Sequence, residues 1–156
     1  MTTATTAQDA IALLKADHEA VSHLFAEYKM THSVSNKRAL VAEICTALSV
    51  HAQIEEEIFY PAVLSAVLSS ARDAHPLPKT LAELNTLKAL MGQIEAVEPH
   101  GRLYDAKVKV LSAYVKRRIK DTHHSVFPMV RASSLDLCAL GARIAARKAV
   151  LLAGRA

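Results

Sequence analysis

Three side chains with metal-binding chemistry stand at helical spacing in the first half of the sequence: His18, His51 and Glu55. In HAQIEEEIFYP, residues 51–61, positions i, i+3, i+4 and i+7 are His51, Ile54, Glu55 and Ile58. An α-helix would therefore set an imidazole and a carboxylate on one otherwise apolar face. His18 belongs to a similar stripe, Ile11, Leu14, His18, Val21 and Phe25, and is expected to face inward as well. Neutral imidazole nitrogen and carboxylate oxygen suit iron, manganese or zinc. Two histidines with one carboxylate leave positions open for water or dioxygen, as in non-haem Fe(II) centres. The plainer alternative is a pair of hydrogen-bonded core histidines with Glu55 held in an ion pair. Either way the carboxylate needs a partner, because burying an unpaired charge is very costly.

The elements that must position these groups read as helices almost throughout. A chain of 156 residues, 51% hydrophobic, can bury one core. Four glycines and five prolines, against abundant Ala, Leu, Lys and Glu, favour helix over strand. The expected fold is all-α and a single domain, residues 1–156. It is an antiparallel up-and-down four-helix bundle over about residues 7–130, with an additional C-terminal helix at about 134–153. Helix 1 is placed at about 7–30. Helix 2 starts near Asn36 as its cap and runs through Leu40, Ile44, Leu48, His51, Glu55 and Ile58, with a kink at Pro61 before it ends near Ser69. Helix 3 opens on the capping box Thr80-Leu81-Ala82-Glu83 and closes before Pro99 and Gly101. Helix 4 covers about 103–127, with Val108, Leu111, Val115, Arg118, Thr122 and Val126 inward and an interruption at Pro128. The last helix starts at the caps Ser133 and Ser134.

The two halves repeat each other. RIKDTHHSVFP, residues 118–128, has the length of HAQIEEEIFYP and the same aromatic-Pro end, and LNTLKALM from Leu84 parallels HEAVSHLF from His18. Two such hairpins packed as a bundle bring His18, His51 and Glu55 opposite Leu84, Arg118 and Thr122 near a local two-fold axis.

On the motifs ADHEAVSHLF (16–25) and HAQIEEEIFYP (51–61), the chain resembles the hemerythrin-like HHE cation-binding family over about residues 10–130. Its tail SSLDLCALGARIAARKA (133–149) is similar to an extension found in one bacterial subgroup. The resemblance implies a four-helix bundle holding two non-haem irons. Each hairpin would supply one His from its first helix and a His-x-x-x-Glu pair from its second, for oxygen binding or sensing, iron handling or stress responses. His18, His51 and Glu55 match the first half of that ligand set. The second half departs from it, with Leu84, Arg118 and Thr122 where His, His and Glu are required. Leucine cannot ligate, arginine stays protonated, and a neutral threonine hydroxyl does not replace a carboxylate. One iron at most is expected, and a di-iron centre is not. Asp121, His123 and His124 are the substitute ligands within reach, if helix 4 rotates by one residue.

Arg118 decides between one metal and none. A buried guanidinium pairing with Glu55 would take the place of the missing cation. A dication about 5 Å from it would feel a repulsion of about 6–7 kcal/mol at an effective dielectric near 20. If Arg118 instead reaches along its stem towards the bundle end, His18, His51 and Glu55 stay free for one ion.

Two functions follow: a metal-binding protein of hemerythrin type with a small diatomic ligand, or a metal-free bundle with a Glu55–Arg118 pair and a partner-binding or scaffold role. The net charge of +4, aromatic content of 4% and absence of Trp exclude a single-strand nucleic-acid platform. No apolar run approaches the roughly 20 residues a membrane span needs. Cys45 and Cys138 stand apart, as free thiols of a reducing compartment do, so a cytoplasmic location is expected. No nucleophile-base pair, phosphate loop or cysteine cluster supports an enzyme. His23, His32, His75, His100, Glu56 and Glu57 are expected at the surface, and Tyr60, Tyr104 and Tyr114 packed with a wet hydroxyl end.

Overall fold

The computed structural model describes residues 9–68 and 77–155. Helix α1 spans Ala10–Met30 and starts where the Asp9 carboxylate accepts the Ala12 N–H at 2.8 Å. Helix α2, Val34–Ile54, begins two residues before the expected cap Asn36. Ser33 takes that role, its hydroxyl accepting from the Asn36 N–H at 3.4 Å, so Asn36 lies inside the first turn.

Pro61 does not end the second helix. A π-helical turn, Glu55–Phe59, precedes it, and the chain runs on as α3, Tyr60–Leu68. The Tyr60 N–H bonds back to the Glu55 carbonyl, five residues away, and the wider turn accommodates a proline with no N–H to give. Helix α4, Leu77–Glu95, begins three residues before Thr80 with Pro78 in its first turn. The expected capping contact of Thr80 falls outside the described side chains, as His75 falls outside the described residues.

Helix α5, Arg102–Asp121, is followed by a second π-turn, Thr122–Val126, and α6, Phe127–Arg131. The helix thus runs on through Pro128, and the interruption of regular α-helix lies in the π-turn before it; Phe127 N–H bonds to Thr122 O just as Tyr60 N–H bonds to Glu55 O. From Glu55 to Thr122 and from Pro61 to Pro128 the separation is the same 67 residues, so the duplication read from the motifs extends to the irregular turns. Helix α7, Leu137–Ala153, is capped by Asp136, which accepts the Ala139 N–H at 3.0 Å. Ser133, one of the two expected caps, closes the preceding turn instead by donating to Val130 O.

The architecture is all-α. Helix α1 packs on α2 and α5, and α4 on α5 and α2, which closes a four-helix bundle with α3 and α6 as continuations of its second and fourth arms. Fully buried Ile11, Leu14, Ile44, Ile54, Phe59, Leu84, Leu87 and Leu111 fill the interior. Helix α7 lies across α1, α2 and the first π-turn, burying Leu140 and Ile144. Among the described residues no helix is long and apolar enough to cross a membrane.

Candidate metal centre

Helix α1 buries His18, and the last turn of α2 with the π-turn after it buries His51 and Glu55, each less than a tenth exposed. One liganding atom from each of the three lies within 4.8 Å of the others, and no other group of three or more such residues occurs among the described residues. They line a cavity of about 30 Å³ together with Leu87, Arg118 and Thr122. That is room for an ion or one water. The mirrored positions behave as the sequence indicates: Leu84 is fully buried and apolar, and Thr122 is half-buried.

Arg118 points into the core. Its Nη2 lies 3.4 Å from Glu55 Oε2 and its Nε 3.6 Å from Glu83 Oε2, with the residue 8% exposed. The guanidinium thus stands between two carboxylates, one from each half of the molecule. At 3.6 Å the Glu83 contact is an ion pair without a hydrogen bond, and Arg118 Nε is left with no hydrogen-bond partner. The hydroxyl of Tyr60, buried beside Glu55, likewise makes no hydrogen bond of good geometry. Expected to be wet, it is enclosed, and burial pushes its ionisation far up.

His51 is held at both ring nitrogens. Nε2 lies 2.5 Å from Glu55 Oε1, and Nδ1 donates to Asp17 Oδ2 at 2.9 Å. Burial disfavours its charged form, but Glu55 and Asp17 outweigh burial and lift it to about 9. Burial also works against the Glu55 carboxylate, which His51 and then Arg118 nevertheless hold near 2. His18 has no carboxylate partner; burial and the charge on His51 push it down to about 3. Its Nδ1 lies 2.9 Å from His123 Nε2, and Phe127 stacks on its ring at 6.1 Å.

Of the three substitute ligands on the fourth arm, only His123 comes near. The π-turn starting at Thr122 supplies the local rotation that regular helix lacks, and His123 reaches His18 from outside the three-residue group. Asp121 is half-buried and His124 exposed. Asp17 and Lys148 were hidden from the sequence reading. Asp17 sits one residue off the inward stripe, and Lys148 Nζ, on α7, reaches Asp17 Oδ1 at 2.5 Å only because of how α7 docks. His23, His32 and His100 are exposed, as expected.

These values set the pH response of the metal-free protein. The His51 contribution is present below 6.5 and lost as pH rises through about 9. The His18 contribution, which favours the neutral ring, is present above 6.5 and lost as pH falls towards about 3. Glu55 adds an acid loss that sets in below 4.5. Urea unfolding across the range is therefore expected to show greatest stability near pH 6.5, with limbs no steeper than about 1.4 kcal/mol per pH unit for each group. A plateau reaching pH 9 would mean that the His51 imidazolium is not held as described.

Known proteins place this arrangement. The family model described as Hemerythrin HHE cation binding domain matches residues 9–130. A crystal structure of a Hemerythrin HHE cation binding domain-containing protein, the Rv2633c homolog from Mycobacterium kansasii, superposes with a TM-score of 0.77 at 19% identity, covering 92% of this chain and 87% of that one. A protein named DNA nickase from Nostoc sp. (strain PCC 7120 / SAG 25.82 / UTEX 2576) is 26% identical over 119 residues, 76% of this chain. The matched region spans 32% of that relative's length. The family match covers all four arms of the bundle and all three converging side chains, and the chain belongs to the hemerythrin HHE cation-binding domain family.

Proposed function

We propose that the protein binds one divalent transition-metal ion, non-haem iron, through His18, His51 and Glu55, and uses it to bind or sense a small diatomic ligand such as dioxygen. The observation that carries this reading is the convergence of the three donors within 4.8 Å around a cavity of ion-and-water size. Metal–ligand bonds of about 2.0–2.2 Å allow donors to lie up to about 4.4 Å apart, so a shift of a few tenths of an ångström suffices. Asp17 accepts the Nδ1 proton of His51, which turns Nε2 to the cavity. To ligate, His51 gives up the proton that faces Glu55, whose Oε1 is then released while Arg118 keeps hold of Oε2. An Fe(II) ion in a two-histidine, one-carboxylate set offers open positions for water or a diatomic molecule. Val21, Leu48, Leu87 and Val115 supply apolar lining beside the three donors, Arg118 and Thr122.

A second reading is favoured by one observation, the Arg118 contact with Glu55 and Glu83. In it the guanidinium replaces the cation outright and the bundle acts as a metal-free partner-binding or scaffold protein. Protein purified with iron present and assayed for metal separates the two. About one ion per chain, lost in His51→Ala, is the expected result. Less than about 0.2 ions per chain, unchanged by that substitution, leaves the metal-free reading standing.

A further inference from the structure

Two adjacent basic residues of α7 reach α1 beside His18, at Asp17, and the π-turn that carries Glu55, at Glu57. Lys148 Nζ contacts Asp17 Oδ1 at 2.5 Å, and the other oxygen of that carboxylate, Oδ2, accepts from His51 Nδ1 at 2.9 Å. Arg147 grips Glu57 with two hydrogen bonds, Nε to Oε2 at 2.7 Å and Nη2 to Oε1 at 3.2 Å, and Glu57 lies in the π-turn that begins at Glu55. Gln53 Nε2 donates to the same Glu57 carboxylate at 2.8 Å, from the last turn of α2. The helix lies outside the four-helix bundle, yet it packs on α1, α2 and this π-turn and, among the described residues, makes no comparable contact with the second half of the bundle. Its fully buried face is narrow, Leu140, Gly141 and Ile144, and beyond it the far end is held by the partly buried Leu151 together with the polar contacts at residues 147 and 148.

We infer that α7 is a working part of the metal centre: Lys148, acting through Asp17, and Arg147, acting through Glu57, are positioning residues that hold His51 and Glu55 in the orientation an ion requires. The physical reason lies in the two-oxygen geometry of Asp17. A carboxylate accepting from His51 on one oxygen swings about its χ2 axis unless the other is tied, and Lys148 ties it. With Asp17 fixed, His51 keeps Nδ1 as donor and Nε2 towards the cavity, the arrangement by which an outer carboxylate orients a metal-binding imidazole. Arg147 restrains the π-turn, whose non-α register sets the direction of the Glu55 side chain. Anything that lifts the end of α7 from the bundle therefore loosens two of the three donors at once.

This rests on the metal-binding reading proposed above, so its test includes a measurement independent of metal. Full-length Lys148→Met, Lys148→Arg and, as a control on the exposed face of α7, Arg143→Met are compared with the unaltered chain in two ways. Titration with Fe(II) or Zn(II) against a chromophoric chelator is expected to show affinity lowered about 10- to 100-fold in Lys148→Met, restored to within a few fold in Lys148→Arg and unchanged in Arg143→Met. Nitrogen-15 spectra of the metal-free protein are expected to show the His51 ring resonances shifted or broadened in Lys148→Met alone. Lys148 is 41% exposed in its side chain, so the substitution leaves the core intact, and far-ultraviolet dichroism checks that it does. Unchanged affinity with an unchanged His51 spectrum overturns the inference. If the unaltered chain takes up no ion, the functional reading fails by itself, and the inference then stands or falls on the ring spectrum.

Discussion

Replacing Arg118 by leucine is expected to move stability and metal affinity in opposite directions. In the metal-free protein the guanidinium is the partner of Glu55 Oε2 and stands 3.6 Å from Glu83, all three side chains being largely buried. Removing one member of a buried charge pair costs about 3–5 kcal/mol, because the remaining charge stays in the interior without compensation. Urea unfolding of metal-free Arg118→Leu is expected to show a loss in that range. The ion itself sees the reverse. With the guanidinium gone, the dication escapes a repulsion whose ceiling is about 6–7 kcal/mol, and if a third survives relaxation of the site, affinity tightens about 50-fold. Chelator competition with Fe(II) or Zn(II) measures it. Loss of stability with no gain in affinity would show that Arg118 braces the core and does not stand in for a cation.

The second large effect concerns the surrendered half of the site. Leu84→His, Arg118→His and Thr122→Glu together place the family's donor types at the three mirrored positions, and metal uptake is expected to rise from one ion per chain to two. The backbone for this is present, since the π-turn that begins at Glu55 has its counterpart beginning at Thr122. The metal-free triple variant is expected to be several kcal/mol less stable, because Leu84 is fully buried and a polar ring in its place has lost its apolar packing. Ion at about a thousand times its dissociation constant returns about 4 kcal/mol, so the melting temperature should become steeply metal-dependent. Metal analysis and calorimetry with and without Fe(II) or Mn(II) test both statements. A folded variant holding a single ion would mean that the two hairpins are related in sequence and backbone but not in the placement of side chains at their centre.

Helical periodicity made most of this molecule readable. The stripe through Ile11, Leu14, His18, Val21 and Phe25 is buried from end to end, and Arg118 lies inside as its place between Val115 and Thr122 requires. The duplication was legible for the same reason, since equal spacing of His51, Glu55 and Pro61 against Arg118, Thr122 and Pro128 produces equal local structure. Caps were less legible. Asn36 and Ser134 are good cap residues by type, but Ser33 and Asp136 cap the helices, since several neighbouring polar side chains qualify and packing selects where each helix starts.

What the amino-acid order determined alone is the set of inward faces: three donors from the first hairpin, and a leucine, an arginine and a threonine from the second. That is a consequence of local geometry, because an α-helix repeats every 3.6 residues whatever surrounds it. Tertiary structure decided the rest. Only packing shows that Arg118 turns to Glu55 and Glu83, that the π-turn at Thr122 brings His123 against His18, and that Lys148 reaches Asp17 from 131 positions away. Each of those contacts depends on where one helix settles against another, and the charges it joins find their partners in space with no pattern along the chain to announce them.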